Sequence, residues 1–202
     1  VIYGCRELID HVGQYKDLKF PAQLTDAPEM VLRGGCVGIQ KMEYLPGRGV
    51  YEYPYTPESF PWFYDKEQWI KYLDMLVENR MNSLYLWNGH PFASLVKLEE
   101  YPFAVEVDEE TFKKNEEMFS FLTAEADKRG IFVIQMFYNI LLSKPFAEHY
   151  GLKTQDRNRP ITPLISDYTR KSVAAFIEKY PNVGLLVCLG EAMRSKSTRL
   201  NS

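Results

Sequence analysis

The sequence predicts an α/β fold: the first half of a (β/α)8 TIM barrel preceded by the end of an N-terminal domain. Three observations carry that prediction. Four short apolar runs recur along the chain, Met30–Arg33, Ser83–Trp87, Ile131–Phe137 and Val183–Leu189. Each is near-continuous rather than alternating, as in a strand covered on both faces. Helical patterns separate the runs, and long insertions rich in Pro, Gly and aromatic residues follow them.

Taken in order, Tyr3-Gly-Cys-Arg-Glu-Leu-Ile9 with Val12 forms a short amphipathic helix leading to Phe20-Pro21 and Ala27-Pro28. Residues 1–27 read as the end of an N-terminal domain with its linker; a helix plugging the bottom of the barrel is the other reading. Residues 28–193 then make the half-barrel. Its first helix is capped by Asp65, with Gln68 at the capping-box position and Trp69, Leu73, Leu76 and Val77 as its apolar stripe. Asp108 opens a second, with Phe112, Phe119, Leu122 and Ala126 on one face and Lys128-Arg129-Gly130 as its stop. A third runs from about Asp167 to Lys179 and ends before Pro181. Strands alternating with helices give a parallel sheet with right-handed crossovers.

The insertions are Gly34–Tyr64, Asn88–Val107 and Asn139–Ser166. Lengthening only the segments after strands suits a barrel, whose active site is built from those segments. An open doubly-wound sheet is the alternative, but no GxGxxG or GxxxxGK[ST] pattern follows any strand, and Gly34-Gly35-Cys36-Val37-Gly38 does not fit either.

Composition narrows the function. The chain has 202 residues, 46% hydrophobic and 25% charged, with a formal net charge of −3. No apolar run approaches the roughly 20 residues of a membrane-spanning helix, so no membrane partner is expected. Basic residues scattered among acids offer no stripe for a phosphate backbone, which argues against nucleic acid. Cys5, Cys36 and Cys188 form no CxxC pair, and His11, His90 and His149 no HxH or HxxxH pattern. No metal and no cofactor is therefore expected. A start at Val1 without a signal-peptide pattern leaves the compartment open, with periplasmic or extracellular favoured over cytoplasmic. Lys196-Ser-Thr-Arg-Leu-Asn-Ser202 is similar to a translated sequencing-adapter read, so residues 194–202 are expected to be a non-native tail.

In a parallel barrel the residues just past each strand face the pocket. Those positions are Arg33 with Gly34, Trp87 with Asn88 and His90, Tyr138 with Asn139, and Glu191. One carboxylate and one guanidinium among aromatics and amides is the inventory of a sugar-binding cleft, where rings pack on apolar pyranose faces and polar groups fix hydroxyls. A carboxyl emerging from an apolar strand, as Glu191 does, holds its proton more tightly and suits proton donation to a leaving glycosidic oxygen. Its other reading is a first-turn helix glutamate. Arg33 would bind hydroxyls or a carboxylate, or else form a buried ion pair. Trp87 divides between core and platform, and His90 could be a loop histidine satisfied by backbone. Lys144, Arg157 and Arg159 form a solvated rim from which a uronic acid could draw a partner.

Here the residues resemble a family. Tyr3-Gly-Cys-Arg-Glu-Leu-Ile9, Leu32-Arg-Gly34, Glu78-Asn-Arg-Met-Asn-Ser-Leu-Tyr-Leu-Trp87 and Ala126-Asp-Lys-Arg-Gly-Ile-Phe-Val-Ile134 look like the opening of the barrel in α-glucuronidases and their β-N-acetylhexosaminidase relatives. Gly184-Leu-Leu-Val-Cys-Leu-Gly-Glu191 is similar to the α-glucuronidase strand that ends in a general-acid glutamate. The resemblance implies a small α/β domain before a catalytic barrel, Glu191 as acid and Arg33 on the glycone, with the base carboxylates beyond Met193. Gly190 stands where hexosaminidases carry an Asp, which disfavours substrate-assisted chemistry, and Gly190 and Ala192 replace the Ser and Gly flanking the α-glucuronidase glutamate. The expected function is hydrolysis of O-glycosidic bonds in a plant-type oligo- or polysaccharide, with uronic-acid-bearing chains among the candidates. A non-catalytic carbohydrate-binding barrel and an N-acetylhexosaminidase-like enzyme are the alternatives.

Overall fold

Side chains that accept hydrogen bonds from free backbone N–H groups fix where the helices begin. In the computed structural model, which describes residues 2–19, 27–46, 49–138, 141–156 and 158–189, Asp65 accepts from the N–H of Gln68 at 2.9 Å and Asp108 from that of Thr111 at 2.7 Å. Ser143 and Thr162 do the same for Phe146 and Ile165. In chain order the elements are α1 (Ile2–Tyr15), β1 (Gly34–Gly38), β2 (Met42–Leu45), β3 (Gly49–Glu52), α2 (Lys66–Glu78), β4 (Ser83–Trp87), α3 (Phe92–Leu95), α4 (Glu109–Lys128), β5 (Phe132–Tyr138), α5 (Lys144–His149), α6 (Pro163–Lys179) and β6 (Val183–Cys188).

Four strands form one parallel sheet in the order β1-β4-β5-β6, and β2 pairs β3 as a separate antiparallel hairpin. The mixed α/β class with a parallel sheet is as the sequence predicts. On the helix-covered face Leu84, Leu86, Val133 and Phe137 join Leu73, Leu122 and Phe176 in the main core. A smaller core, centred on Tyr101, Phe146 and Tyr168, lies under the insertions after β4 and β5. The opposite sheet face is more open: Phe132 and Leu186 are each more than 40% exposed, and Cys36 is exposed.

Two boundaries differ from expectation. The first strand is Gly34–Gly38 and not Met30–Arg33, whose residues Met30 and Val31 are exposed. Close approach between strands selects glycine here: a Cβ on Gly34 would run into the Ser83 carbonyl oxygen, and one on Gly35 into the Tyr72 hydroxyl. An apolar-run criterion passes over such a strand. The last helix begins at Pro163, earlier than Asp167, because Thr162 caps it and Pro163 occupies its first turn.

Helix α1 meets the amino-terminal end of the sheet. Tyr3 Oη donates to the Met81 carbonyl at 2.9 Å, Glu7 pairs with Arg80, and Arg6 with Glu78 at 3.5 Å.

Candidate functional site

Strands β4 and β5 deliver their last residues, Trp87 and Tyr138, side by side at the carboxyl end of the sheet. Their rings meet edge to face, centroids 5.2 Å apart, and both side chains are half-buried. Each thereby keeps an accessible aromatic surface at the strand ends, held by its neighbour.

Asn88 and His90 lie beside this corner with their polar groups turned inward. The buried Asn88 amide donates from Nδ2 to the Ile39 carbonyl at 2.7 Å and accepts from the His90 N–H at Oδ1 at 2.9 Å. Asn88 therefore stitches the segment after β1 to the loop after β4. His90 Nε2 lies 3.0 Å from the Tyr168 hydroxyl, and burial pushes the imidazole down to about 4, so it is neutral near pH 7.

Two carboxyls that the sequence reading did not single out complete the arrangement. Glu52, the last residue of β3, is 8% exposed; its Oε1 accepts from the Gly89 N–H at 2.6 Å, and its Oε2 is buried without a hydrogen-bond partner. Glu106 accepts from the backbone N–H of Lys144 and from the Tyr51 hydroxyl, the latter at 3.3 Å. Burial pushes both carboxyls up to about 7, and the charge of Glu52 adds to the rise at Glu106. With His90, Leu141, Leu142 and Thr154 they line a cavity of about 10 Å³, room for roughly one water molecule and too small for a sugar ring. The signals were faint but present: Glu52 stands between Tyr51 and Tyr53, and Glu106 between two valines.

Arg33 is not brought to this end. It precedes β1, so it lies at the amino-terminal edge of the sheet, where Nη1 donates to the Met30 carbonyl at 2.7 Å and Nε to that of Arg80 at 3.1 Å. Its guanidinium lies 6.0 Å from the Tyr3 ring centroid. The expected strand-end position rested on a first strand drawn one segment too early. Asn139, Arg157, Gly190 and Glu191 lie outside the described residues, as does the 194–202 tail. Of the remaining basic residues, Lys144 places its ammonium 5.5 Å from the Tyr51 ring centroid, and Arg159 donates to the Lys153 carbonyl at 2.5 Å.

A larger apolar groove of about 350 Å³, lined by Val37, Trp62, Trp69, Tyr72 and Met75, runs along α2. Among the described residues no group of three or more His, Cys, Asp or Glu could hold a metal ion, the cysteines are free, and no helix is long and apolar enough to cross a membrane.

A parallel α/β sheet with an aromatic corner and buried carboxyls at its carboxyl end defines the class: an α/β protein whose candidate site sits at the strand ends. A solved structure similar to the chain is that of a GH138 enzyme targeting pectin rhamnogalacturonan II, at 83% identity and a TM-score of 0.88. The likeness covers 95% of this chain and 22% of that one, so the chain spans about a fifth of the length of this relative. No protein-family model matches the chain, and a search of the curated proteins finds no match.

Proposed function

We propose that the chain is the first half of a (β/α)8 catalytic barrel of a glycoside hydrolase acting on a pectic plant polysaccharide. The observation that carries this reading is the 83% identity, over 95% of the chain, to an enzyme that targets pectin rhamnogalacturonan II. The geometry supports it, since Trp87 and Tyr138 offer ring surface at the strand ends, where a sugar would lie. The uronic-acid-bearing substrate and the α-glucuronidase-like chemistry implied by the sequence resemblance are kept within this reading.

Within this reading Glu191 is the general acid, following β6, whose last residue Cys188 pairs with Tyr138. Trp87, Tyr138 and Asn139 bind the sugar. Asn88 and His90, committed to Ile39 and Tyr168, hold the segment that follows β4. The second carboxylate comes from barrel strands beyond this chain.

A general acid matters most for a poor leaving group. In a polypeptide carrying this chain together with the remaining barrel strands, Glu191→Gln should nearly abolish release of sugars from a pectic oligosaccharide while sparing an activated aryl glycoside at the bond-breaking step. The basic limb of the pH profile should flatten. Equal losses on both substrates with that limb unchanged would place the acid elsewhere.

A further inference from the structure

We propose that Glu52 is a positioning residue: its carboxyl clamps Gly89 against Tyr138 and thereby sets the Trp87–Tyr138 corner. That this corner faces a sugar rests on the functional reading above; the clamp itself rests on geometry alone.

Both backbone polar groups of Gly89 are taken. Its N–H donates to Glu52 Oε1 at 2.6 Å, and its carbonyl accepts from the Tyr138 N–H at 3.0 Å. A Cβ at position 89 would run into Glu52 Oε2 and Leu141 Cδ1 and come within 2.9 Å of Tyr138 Cδ2. Gly89 is therefore enclosed by the carboxyl on one side and the tyrosine on the other, and a side chain of any size would push them apart. Tyr138 in turn sets the edge-to-face contact with Trp87. The hairpin β2–β3, which has no ladder to the parallel sheet, reaches Gly89 through the Glu52 carboxyl of β3 and the rest of the insertion after β4 through Tyr51, which donates to Glu106.

The clamp depends on Glu52 keeping its proton. An ionised Glu52 would leave Oε2 as a bare charge in the interior, which is costly without a partner. The groups around it do not supply one. Glu106 is a second carboxyl on the same cavity and His90 is neutral there. Tyr55, whose buried hydroxyl lacks a hydrogen-bond partner, feels the charge of Glu52, and the Gln40 amide offers only a neutral hydrogen bond. Tyr51 and the Lys144 N–H are spent on Glu106, and Tyr168 on His90. The Gly89 N–H and the Gln40 amide favour the ionised form, and burial outweighs both; the charged carboxyl is drawn toward water, and the contact that holds Gly89 loosens.

The test uses the barrel-complete polypeptide and reads Trp87 emission, taken as the difference between the parent protein and Trp87→Phe, from pH 5 to 9. The expected result is a titration with a midpoint near 7. Glu52→Gln, which keeps the acceptor oxygen and cannot ionise, should hold emission at its low-pH value throughout, whereas Glu106→Gln should move the midpoint to lower pH by removing a like charge. With a pectic oligosaccharide as probe, KM of the parent should rise above the midpoint by up to about tenfold per pH unit, the limit when only the clamped form binds. Glu52→Gln should remove that rise and leave kcat unchanged. A pH-independent Trp87 signal, or an unaltered titration in either variant, overturns the clamp. Absence of any hydrolysis with the titration intact overturns the functional reading and leaves the clamp standing.

Discussion

At the amino-terminal end of the sheet Arg33, Arg80 and Glu7 meet carbonyls and one another close to water, whereas at the carboxyl-terminal end Glu52 and Glu106 lie in a cavity with one carboxyl oxygen unpartnered. Half-exposed ion pairs are worth typically 0–1 kcal/mol, so the first arrangement costs little and contributes little. The second keeps two acids protonated near neutral pH at the expense of stability, and such perturbed groups gather where a protein binds or reacts. One end of the sheet is fastened, and the other is poised.

Two glycines give the largest test of this contrast. The methyl of Gly34→Ala would meet the main-chain oxygen of Ser83, which cannot move without breaking the β1–β4 ladder, so a loss of about 3 kcal/mol or more is expected in chemical denaturation. The atoms met by Gly89→Ala are side-chain atoms of Glu52, Leu141 and Tyr138, which can yield, and about 1–2 kcal/mol should be lost. Equal losses would erase the distinction between a fixed end and an adjustable one.

Dependence on pH sharpens it. Glu52 and Glu106 bind protons more tightly folded, at about 7, than unfolded, at their ordinary 4.5, so their contribution is full below about 4.5 and is lost as pH rises through about 7. The slope is about 1.4 kcal/mol per pH unit for each carboxyl. His90 works in the opposite sense: held at about 4 against an ordinary 6.5, it contributes above 6.5 and that contribution is lost as pH falls toward 4. Melting midpoints should therefore fall from pH 5 to 8, His90 offsetting part of the fall below about 6.5, and Glu52→Gln should flatten the decline. A midpoint that instead rises over this range would contradict the buried carboxyls.

The smallest effect belongs to the fastened end. Arg33→Lys loses the forked donation to the Met30 and Arg80 carbonyls and should lower stability by about 1 kcal/mol; on the proposed function, turnover should be unchanged. A loss of turnover without a change in melting would return Arg33 to the substrate.

Elements marked by bulk or by capping were legible in the sequence. Ser83–Trp87 is a strand because its apolar run has no break, and α2 and α4 begin at Asp65 and Asp108 because those side chains satisfy free N–H groups. Strand β1 was not legible, because three of its five residues are glycines, two of them, Gly34 and Gly35, held in close contact, and the misplacement of Arg33 follows from that. At the site, Trp87 and Tyr138 followed from the strand-end rule. Glu52 and Glu106 did not, since periodicity locates apolar side chains and a buried carboxyl in an insertion reads like any solvated charge until its neighbours are known.

The four parallel strands lie side by side in the order in which a ribosome makes them, each separated from the next by one long helix, α2, α4 or α6. Every ladder therefore closes between consecutive strand–helix units, and the sheet can be laid down one unit at a time as the chain emerges, without waiting for distant sequence. At each stage of synthesis the newest strand is a bare edge, open to a neighbouring nascent chain until the next unit arrives. A pause in translation just after β6 should thus be more hazardous to the protein than one within α6, where the exposed edge is still that of β5 under a forming helix.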